Sequence, residues 1–371
     1  FFFFFLAFAL NKFAYAITGA DNPCFAEFYV CDMQRRSFVA AVAAACVLVS
    51  GAAQAQSYRS EYRLSTTLGT AFTWGQAGER WIELVKEKTQ GRINIKIYSG
   101  NSLVGGDQTR EFTAIRQGVI DMSIGSTINW SPQVKELNLF SLPFLMPDYK
   151  AIDSLTQGEV GKDLFAILEK REVVPLAWGE NGFREMSNSK RPIASPADMK
   201  GMKFRVVGSP LYNETFSALG ANPTQMSWAD AQPALASGAV DGQENPLSVF
   251  VAAKLSTVGQ KYLTLWHYVA DPLIFVVNKQ VWASWTPADR EAVRQAALQA
   301  ARENVEKSRK GIAGNDNAVL KQIEAAGVTV TNPTNEQRAA FVQATRPVYE
   351  KWTKTIGVDL VKKAETSIAK R

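Results

Sequence analysis

The sequence predicts an α/β protein built of two units that are joined by short strand-like crossings. Three observations lead to this prediction. The chain has 371 residues, which suits two domains at the usual ~100–200 residues each. Strand-like and helix-like segments alternate along it, as they do in sheets covered by helices. No repeat and no low-complexity linker separates the two units, which favours a hinge over a flexible tether.

The first 55 residues have the composition of an export signal preceded by additional sequence. Arg35-Arg36 precedes an apolar, alanine-rich stretch, and Ala53-Gln54-Ala55 has the form of a cleavage site. We therefore interpret residues 33–55 as a signal peptide that directs the protein to the periplasm, and residues 1–32 as an upstream extension that is not native to it. The arginine pair also fits a twin-arginine signal, so both export routes stay open.

Removing this segment limits the chemistry that the chain can perform. All three cysteines lie within it, so a mature chain that starts at Gln56 has no disulfide and no thiol nucleophile. The apolar run continues past Cys46, which favours cleavage over a lipoprotein anchor. The single histidine gives little support to a metal centre built on several histidines. The net charge of +6 is small and the charges are interspersed, which gives little support to nucleic-acid binding. We expect a soluble monomer without metal, cofactor or nucleic-acid partner.

The first unit alternates strands with helices. Its strand-like segments are residues 62–66, 93–97 and 120–124, and apolar residues recur at helical spacing within 74–85 and 112–119. This order predicts a largely parallel sheet, in which ligands bind at the carboxyl ends of the strands. The loops that should share this rim are residues 67–72, 101–108 and 125–130.

The second unit shows the same alternation before a long helix. Strand-like segments lie at 173–178 and 202–207, and helical ones at 212–219 and 227–237. The continuous apolar run Leu273–Val277 is typical of a strand buried on both faces. The sequence then predicts a helix that extends from Ala288 to about Lys310. Its start is indicated by Thr286 as N-cap, Pro287 at the first position and Asp289 at the third.

Motifs of catalysis are not visible in the sequence. It contains no phosphate-binding loop, no G-x-S-x-G elbow and no H-E-x-x-H motif. A catalytic triad would have to use His267, and nothing around that residue identifies a partner serine. We therefore predict that the protein is not an enzyme.

Polar residues within apolar or turn-rich segments suggest a binding site instead. Arg205 lies in an alternating strand just before Gly208, where a guanidinium could bind a carboxylate through two parallel hydrogen bonds. The alternative is an arginine on the solvated face of that strand, and Arg184 has the same ambiguity. The polar stretch Asp241–Pro246 is either part of a ligand site at a strand-to-helix junction or simply a capped turn.

At these residues the chain resembles a known family. The segments that carry the resemblance are Gly182-Phe183-Arg184, Ser187-Asn188-Ser189-Lys190-Arg191-Pro192-Ile193, Ala197–Val206, Leu219–Thr224 and Val240–Leu247. They closely resemble the TRAP transporter solute-binding proteins of the DctP type, over the chain from about Tyr62 to its C-terminus. The resemblance implies a periplasmic receptor that captures an organic acid and delivers it to the small and large membrane subunits of a sodium-driven permease.

The resemblance also implies a fold of two α/β lobes that close over the ligand like a flytrap. Hinge strands and a long lobe-spanning helix join the lobes in this periplasmic-binding-protein fold. On this basis lobe I comprises residues 56–182 and 271–310, and lobe II comprises residues 183–270 and 311–371.

The resemblance assigns expected ligand contacts to individual residues. Arg205 takes the place of the arginine that clamps the carboxylate, Arg184 that of a second pocket arginine, and Asn245 that of the assisting amide. Trp228 stands where members often have a Phe wall, and His267 matches a histidine at the pocket rim of some members. Thr67 and Ser126, at strand ends of the first unit, complete the expected set.

Departures from the family pattern bear on the ligand. Sialic-acid-binding members have an Asn after the first strand and a Glu after a later one, where this chain has Leu68-Gly69-Thr70 and Ser126. Sialate is therefore disfavoured, and Trp228 favours a smaller or partly apolar acid. A four-carbon dicarboxylate, a short hydroxy or keto acid and an aromatic acid all stay open. An ABC-type binding protein and, less favoured, a periplasmic hydrolase are the alternative functions.

Overall fold

The computed structural model describes residues 58–371, which contain two β-sheets and the helices that cover them. The interpretations of residues 1–32, 33–55 and Cys46 concern the part of the chain outside this range. The strands are β1 (Tyr62–Thr66), β2 (Ile95–Ser99), β3 (Met122–Ser126), β4 (Val173–Phe183), β5 (Glu185–Asn188), β6 (Lys203–Val206), β7 (Asn222–Gln225), β8 (Gly242–Asn245), β9 (Tyr262–Thr264), β10 (Ala270–Asn278) and β11 (Thr329–Thr331).

The α-helices lie between these strands and after them. They are α1 (Thr73–Lys88), α2 (Glu111–Arg116), α3 (Thr127–Trp130), α4 (Tyr149–Thr156), α5 (Glu159–Glu169), α6 (Pro210–Ala218), α7 (Trp228–Ser237), α8 (Leu247–Ala252), α9 (Lys279–Ser284), α10 (Pro287–Arg309), α11 (Ala318–Ala325), α12 (Asn335–Ile356) and α13 (Val358–Ala369). No helix within residues 58–371 is both long enough and apolar enough to cross a bilayer.

The first sheet has the strand order β2-β1-β3-β10-β4. Strand β1 pairs in parallel with both β2 and β3, which confirms the predicted parallel arrangement. Strand β10 runs antiparallel between β3 and β4, and all nine of its residues are buried. The continuous apolar run at 273–277 therefore belongs to a central strand, as predicted.

The second sheet has the order β11-β9-β5-β8-β6-β7, and two short crossings connect it to the first. Strand β4 ends at Phe183 and β5 begins at Glu185, so Arg184 alone separates a strand of one sheet from a strand of the other. The return crossing runs from the end of β9 at Thr264 to the start of β10 at Ala270. These strand-like crossings agree with a hinge between two lobes.

Helix α10 begins as the sequence predicts. The Thr286 hydroxyl accepts a hydrogen bond from the Asp289 N–H at 3.1 Å, and Pro287 occupies the first position. Near its other end, the Ser308 hydroxyl donates to the Glu180 carbonyl at 2.9 Å, and the Arg309 guanidinium pairs with the Glu180 carboxylate at 2.6 Å. The helix is therefore fixed to β4 close to the first crossing.

The C-terminal helix α13 contacts elements outside the expected second lobe. Lys363 Nζ lies 2.5 Å from Asp163 Oδ2 in α5, and the Ser367 hydroxyl donates to the Ser154 carbonyl of α4 at 3.3 Å. Residues 358–369 thus pack against helices of the segment 56–182. The assignment of residues 311–371 to lobe II came from the family resemblance and stays a prediction, and this last helix contacts residues of the expected lobe I.

Candidate functional site

Arg205 is a buried cation without an acidic partner. It lies in β6 with only 1% of its surface exposed, and its Nε and Nη2 both donate to the Met226 carbonyl, at 3.1 and 2.9 Å. Within residues 58–371 no carboxylate lies within 4 Å of the guanidinium, and Nη1 makes no hydrogen bond. Burial lowers the Arg205 pKa to about 10, so the group is still charged at neutral pH. The alternative of a solvated surface arginine is therefore wrong, because the residue is enclosed.

Trp228 lies beside this guanidinium. The Cζ atom of Arg205 is 5.8 Å from the Trp228 ring, within the range of a cation–π contact. Trp228 is the first residue of α7, which Ser227 caps by accepting a hydrogen bond from the Asp230 N–H at 3.2 Å. The half-buried indole packs against apolar clusters of both sheets. The expected apolar wall and the expected clamp are thus neighbours.

Arg184 is also buried, but two carboxylates already compensate its charge. Its Nη2 donates to Glu244 Oε1 at 2.8 Å, its Nε pairs with Glu244 Oε2, and its Nη1 lies 3.3 Å from Asp271 Oδ2. Burial alone would lower the Arg184 pKa, but the charge and hydrogen bonds of Glu244, together with the nearby Tyr212 and Asp271, raise it above its ordinary value. The family resemblance assigns Arg184 to a second pocket arginine, and its contact with a ligand stays a prediction.

Ser126 belongs to the same buried network as Arg184. Its hydroxyl donates to Asp271 Oδ1 at 2.5 Å and accepts from the Ile128 N–H at 3.1 Å, which caps α3. The Asn181 amide donates to the other Asp271 oxygen at 2.8 Å. Burial raises the Asp271 pKa, while the Arg184 charge opposes that rise. Asp271 thus ties the end of β3 to the first crossing.

Sequence reasoning missed Glu244 and Asp271. A carboxylate at the start of the otherwise apolar strand β10 is a signal that could have identified Asp271, because an acid among buried residues requires a cation. Glu244 lay within a stretch that was singled out, but nothing in its spacing relates it to Arg184, 60 positions away.

Thr67 lies on a rim formed by three loops. Its hydroxyl oxygen accepts from the Asn129 side-chain N–H at 3.2 Å, and Asn129 Oδ1 accepts from Gln108 Nε2 at 2.9 Å. Gln108 Oε1 in turn accepts from the Trp228 backbone N–H at 3.0 Å. The prediction that these loops share one rim is confirmed. Gln108, which connects the rim to Trp228, was not predicted.

Asn245 ends β8 and is tied to its own strand. Its amide donates to Gln243 Oε1, and the Gln243 amide donates to the Ser187 hydroxyl at 2.8 Å on the neighbouring strand β5. Only 6% of the residue is exposed. Asn245 is therefore held in one orientation near the first crossing.

His267 faces a different cavity. It lines a space of about 190 Å³ together with Phe183 and Glu185, and the residues that line this space do not include Arg205 or Trp228. His267 has a positive φ of 50°, and the centre of its ring lies 5.3 Å from that of Phe183. The next residue, Tyr268, donates instead to Glu244 Oε2 at 2.9 Å. The cavity that His267 lines is thus separate from Arg205 and Trp228.

The arrangement around Arg205 is suited to binding an anion. The buried guanidinium has no carboxylate within 4 Å among residues 58–371, and an aromatic ring and a hydrogen-bonded rim lie next to it. Within residues 58–371 no group of three or more His, Cys, Asp or Glu side chains is arranged to hold a metal ion.

Comparison with known proteins gives a consistent result. The family model for bacterial extracellular solute-binding proteins, family 7 (DctP), matches residues 64–355. The 2,3-diketo-L-gulonate-binding periplasmic protein YiaO of Escherichia coli K12 is 33% identical over 311 residues, which cover 83% of this chain and 91% of that protein. The C4-dicarboxylate-binding periplasmic protein DctP of Rhodobacter capsulatus is 32% identical over 298 residues, which cover 80% of this chain and 87% of that protein.

Solved structures share the fold. A TRAP periplasmic solute-binding protein from Ralstonia eutropha H16, with bound (S)-2-acetolactate, is 71% identical with a TM-score of 0.84, covering 85% of this chain and all of that one. A second TRAP periplasmic solute-binding protein, from Sulfurospirillum deleyianum with bound succinate, is 28% identical with a TM-score of 0.75. The match covers 82% of this chain and 98% of that one.

Proposed function

Because the chain belongs to the DctP family of bacterial extracellular solute-binding proteins, we propose that it captures a short hydroxy- or oxo-monocarboxylate between its lobes. The first candidate is (S)-2-acetolactate, which the 71% identical Ralstonia relative holds. The family match favours a TRAP permease over an ABC transporter as the receiver of this acid.

The observation that carries this proposal is the unpaired buried charge of Arg205. Burying a cation without a counter-charge costs several kcal/mol, so a protein retains one where a ligand supplies the anion. A ligand carboxylate that enters a closed cleft loses its water and needs a fixed partner in turn. The planar guanidinium can meet both carboxylate oxygens at once.

The charges of the site favour one ligand carboxylate over two. Arg184 is neutralised by Glu244 and Asp271, whereas Arg205 has no carboxylate within 4 Å among the described residues. A dicarboxylate would bring a second negative charge into a site that has no second unpaired arginine. Trp228 adds an apolar surface that suits a methyl-bearing acid, and Thr67, Ser126 and Asn245 lie on elements around this cleft.

The proposed role is binding and delivery without chemical change. We propose that the protein is exported with cleavage before Gln56, acts in the periplasm as a monomer, and passes its ligand to the small and large permease subunits. Intact-mass analysis of the exported protein tests the cleavage site. A diacylglyceryl group on Cys46 would instead indicate a lipoprotein.

Calorimetry with a panel of acids tests the ligand class. The panel contains both enantiomers of 2-acetolactate, 2-oxoisovalerate, succinate and galacturonate, with protein-free controls because acetolactate loses carbon dioxide spontaneously. We expect (S)-2-acetolactate to bind at least ~30-fold more tightly than succinate, or about 2 kcal/mol. Tightest binding of succinate or galacturonate would contradict the proposal. Conversion of an acid faster than in its protein-free control would favour the hydrolase alternative.

A further inference from the structure

The cavity that His267 lines is enclosed by the hinge itself. Its volume is about 190 Å³, and its walls come from both crossings, from the start of α8 and from the segment after α10. The residues that matter to the argument are Tyr149, Phe183, Glu185, Leu247, His267 and Leu320. Since one water occupies ~30 Å³ of liquid, this space is large enough for a small organic molecule.

Glu185 brings a buried carboxylate to this cavity, and the basic side chain beside it is the His267 imidazole. Only 2% of Glu185 is exposed. Its Oε2 accepts from the His267 backbone N–H at 3.1 Å, and His267 Nδ1 lies 3.3 Å from its Oε1. Within residues 58–371 no lysine or arginine lies within 4 Å of this carboxylate, and none lines the cavity.

The other charges around the cavity do not neutralise Glu185. Asp316 adds a second lining carboxylate, which accepts from the Gly311 N–H at 2.7 Å. The Arg309 guanidinium packs 4.8 Å from the Tyr149 ring, but Asp153 and Glu180 already pair with it, at 2.7 and 2.6 Å. The cavity therefore combines excess negative charge with aromatic and aliphatic walls.

We propose that this cavity binds a small organic cation, namely a primary ammonium group on a short apolar chain. An ammonium donates hydrogen bonds to the Glu185 carboxylate, and the aromatic ring of Phe183 in the wall of the cavity attracts a cation. The apolar chain then lies against Leu247 and Leu320. This site goes beyond the proposed function, since it differs in position and in charge from the anion site at Arg205.

The probe for this proposal is 3-methylbutylammonium chloride, titrated at neutral pH and followed by calorimetry. We expect it to bind at least tenfold more tightly than 3-methylbutan-1-ol, which has the same chain without the charge. Glu185→Gln keeps the shape of the side chain and should weaken ammonium binding at least tenfold. Glu365→Gln is the matched control, because it removes an exposed carboxylate that lines a separate cavity, and it should leave binding unchanged.

Two further measurements separate this site from the anion site. Leu320→Phe fills the cavity without changing any charge, so it should also weaken ammonium binding. This variant provides the test if Glu185→Gln proves unstable. Arg205→Ala should abolish acid binding but retain ammonium binding, so the two proposals can fail independently. Equal ammonium affinity in wild type and Glu185→Gln, or displacement of the ammonium by saturating acid, would overturn the inference.

Discussion

The side-chain carbonyl of Gln108 accepts a hydrogen bond from the backbone N–H of Trp228 at 3.0 Å, which joins the rim of the first sheet to a helix of the second. Close contact continues beside it, where a Cβ on Gly208 would lie 2.5 Å from Thr109 Cγ2. The two lobes therefore meet directly across the cleft. A ligand that contacts both sides favours this closed state through its differential contacts.

Replacing Gln108 by alanine should weaken acid binding by about 5- to 30-fold, or about 1–2 kcal/mol. The substitution removes the partner of the Trp228 N–H, a contact that exists only where the lobes meet, whereas the Asn129 oxygen on the same rim loses its partner in the open and closed states alike. Calorimetry and small-angle scattering should show weaker binding and less compaction with ligand. Gln117→Ala, at an exposed position near α2, is the control. An affinity within twofold of wild type would show that the contact does not stabilise closure.

Arg205→Lys should reduce acid affinity at least tenfold, or ~1.4 kcal/mol, because lysine keeps the charge but loses the planar fork. Arg205→Met should abolish measurable binding at micromolar ligand. In the ligand-free protein it should leave the free energy of unfolding unchanged or raise it, because it removes an uncompensated buried charge. Calorimetry and urea denaturation measure the two effects. Near-wild-type affinity in a folded Arg205→Met variant would show that the carboxylate binds elsewhere.

Arg184→Met should lower the free energy of unfolding of the protein even when no ligand is present. It leaves Glu244 and Asp271 buried without their cation, so the free energy of unfolding should fall by ~3–5 kcal/mol. Urea denaturation of the ligand-free protein measures this, with Arg205→Met as the matched comparison. If both variants proved equally stable, Arg184 would not be the structural partner of these carboxylates.

The sequence predicted the sheets, whereas the expected ligand contacts stay predictions. Alternation and capping locate the strands and helix α10 because those signals are local, and the apolar run at 273–277 correctly indicated a central strand. Arg205 was found through its position in an alternating strand and through a family pattern. Its burial without a counter-charge depends on distant residues and could not be inferred.

The surroundings of three site residues could not be predicted from the sequence, for one shared physical reason. Whether Arg184 is available to a ligand depends on Glu244 and Asp271, which the fold brings to it from far along the chain. His267 adopts a positive φ of 50° and lies beside Phe183 and Glu185, surroundings that no spacing rule indicates for a histidine. Gln108 looked like an ordinary loop residue because its partners, Asn129 and Trp228, lie on two other elements.

Trp228→Ala should weaken acid binding by ~1–3 kcal/mol through the loss of apolar and aromatic contact. The loss should be greater for methyl-bearing acids than for glyoxylate, which has no carbon chain to place against the ring. Competition calorimetry with both acids measures the difference. Equal losses for the two acids would mean that Trp228 supports Arg205 without contacting the ligand.

Glu111 should make the stability of the protein depend on pH. The carboxyl is fully buried and accepts hydrogen bonds from Ser65, Asn101 and Trp130, at 2.6, 2.9 and 3.0 Å. Burial raises its pKa from 4.5 to about 7, although these hydrogen bonds oppose the rise. Between those two values the folded protein holds a proton that the unfolded chain has released. Stability should therefore fall as pH rises through this window.

At 1.36 kcal/mol per unit of pKa difference, the full loss across this window is about 3 kcal/mol. Glu111→Gln should remove this pH dependence, since an amide does not titrate. It should also lower the free energy of unfolding at acidic pH, because the NH₂ group of the glutamine faces one of the three hydrogen-bond donors. Urea denaturation from about pH 5 to about pH 8 measures both effects. Glu79→Gln, on an exposed face of α1, should keep the wild-type slope. If Glu111→Gln also kept that slope, the pH dependence would arise from another group, and Glu111 would be ionised throughout.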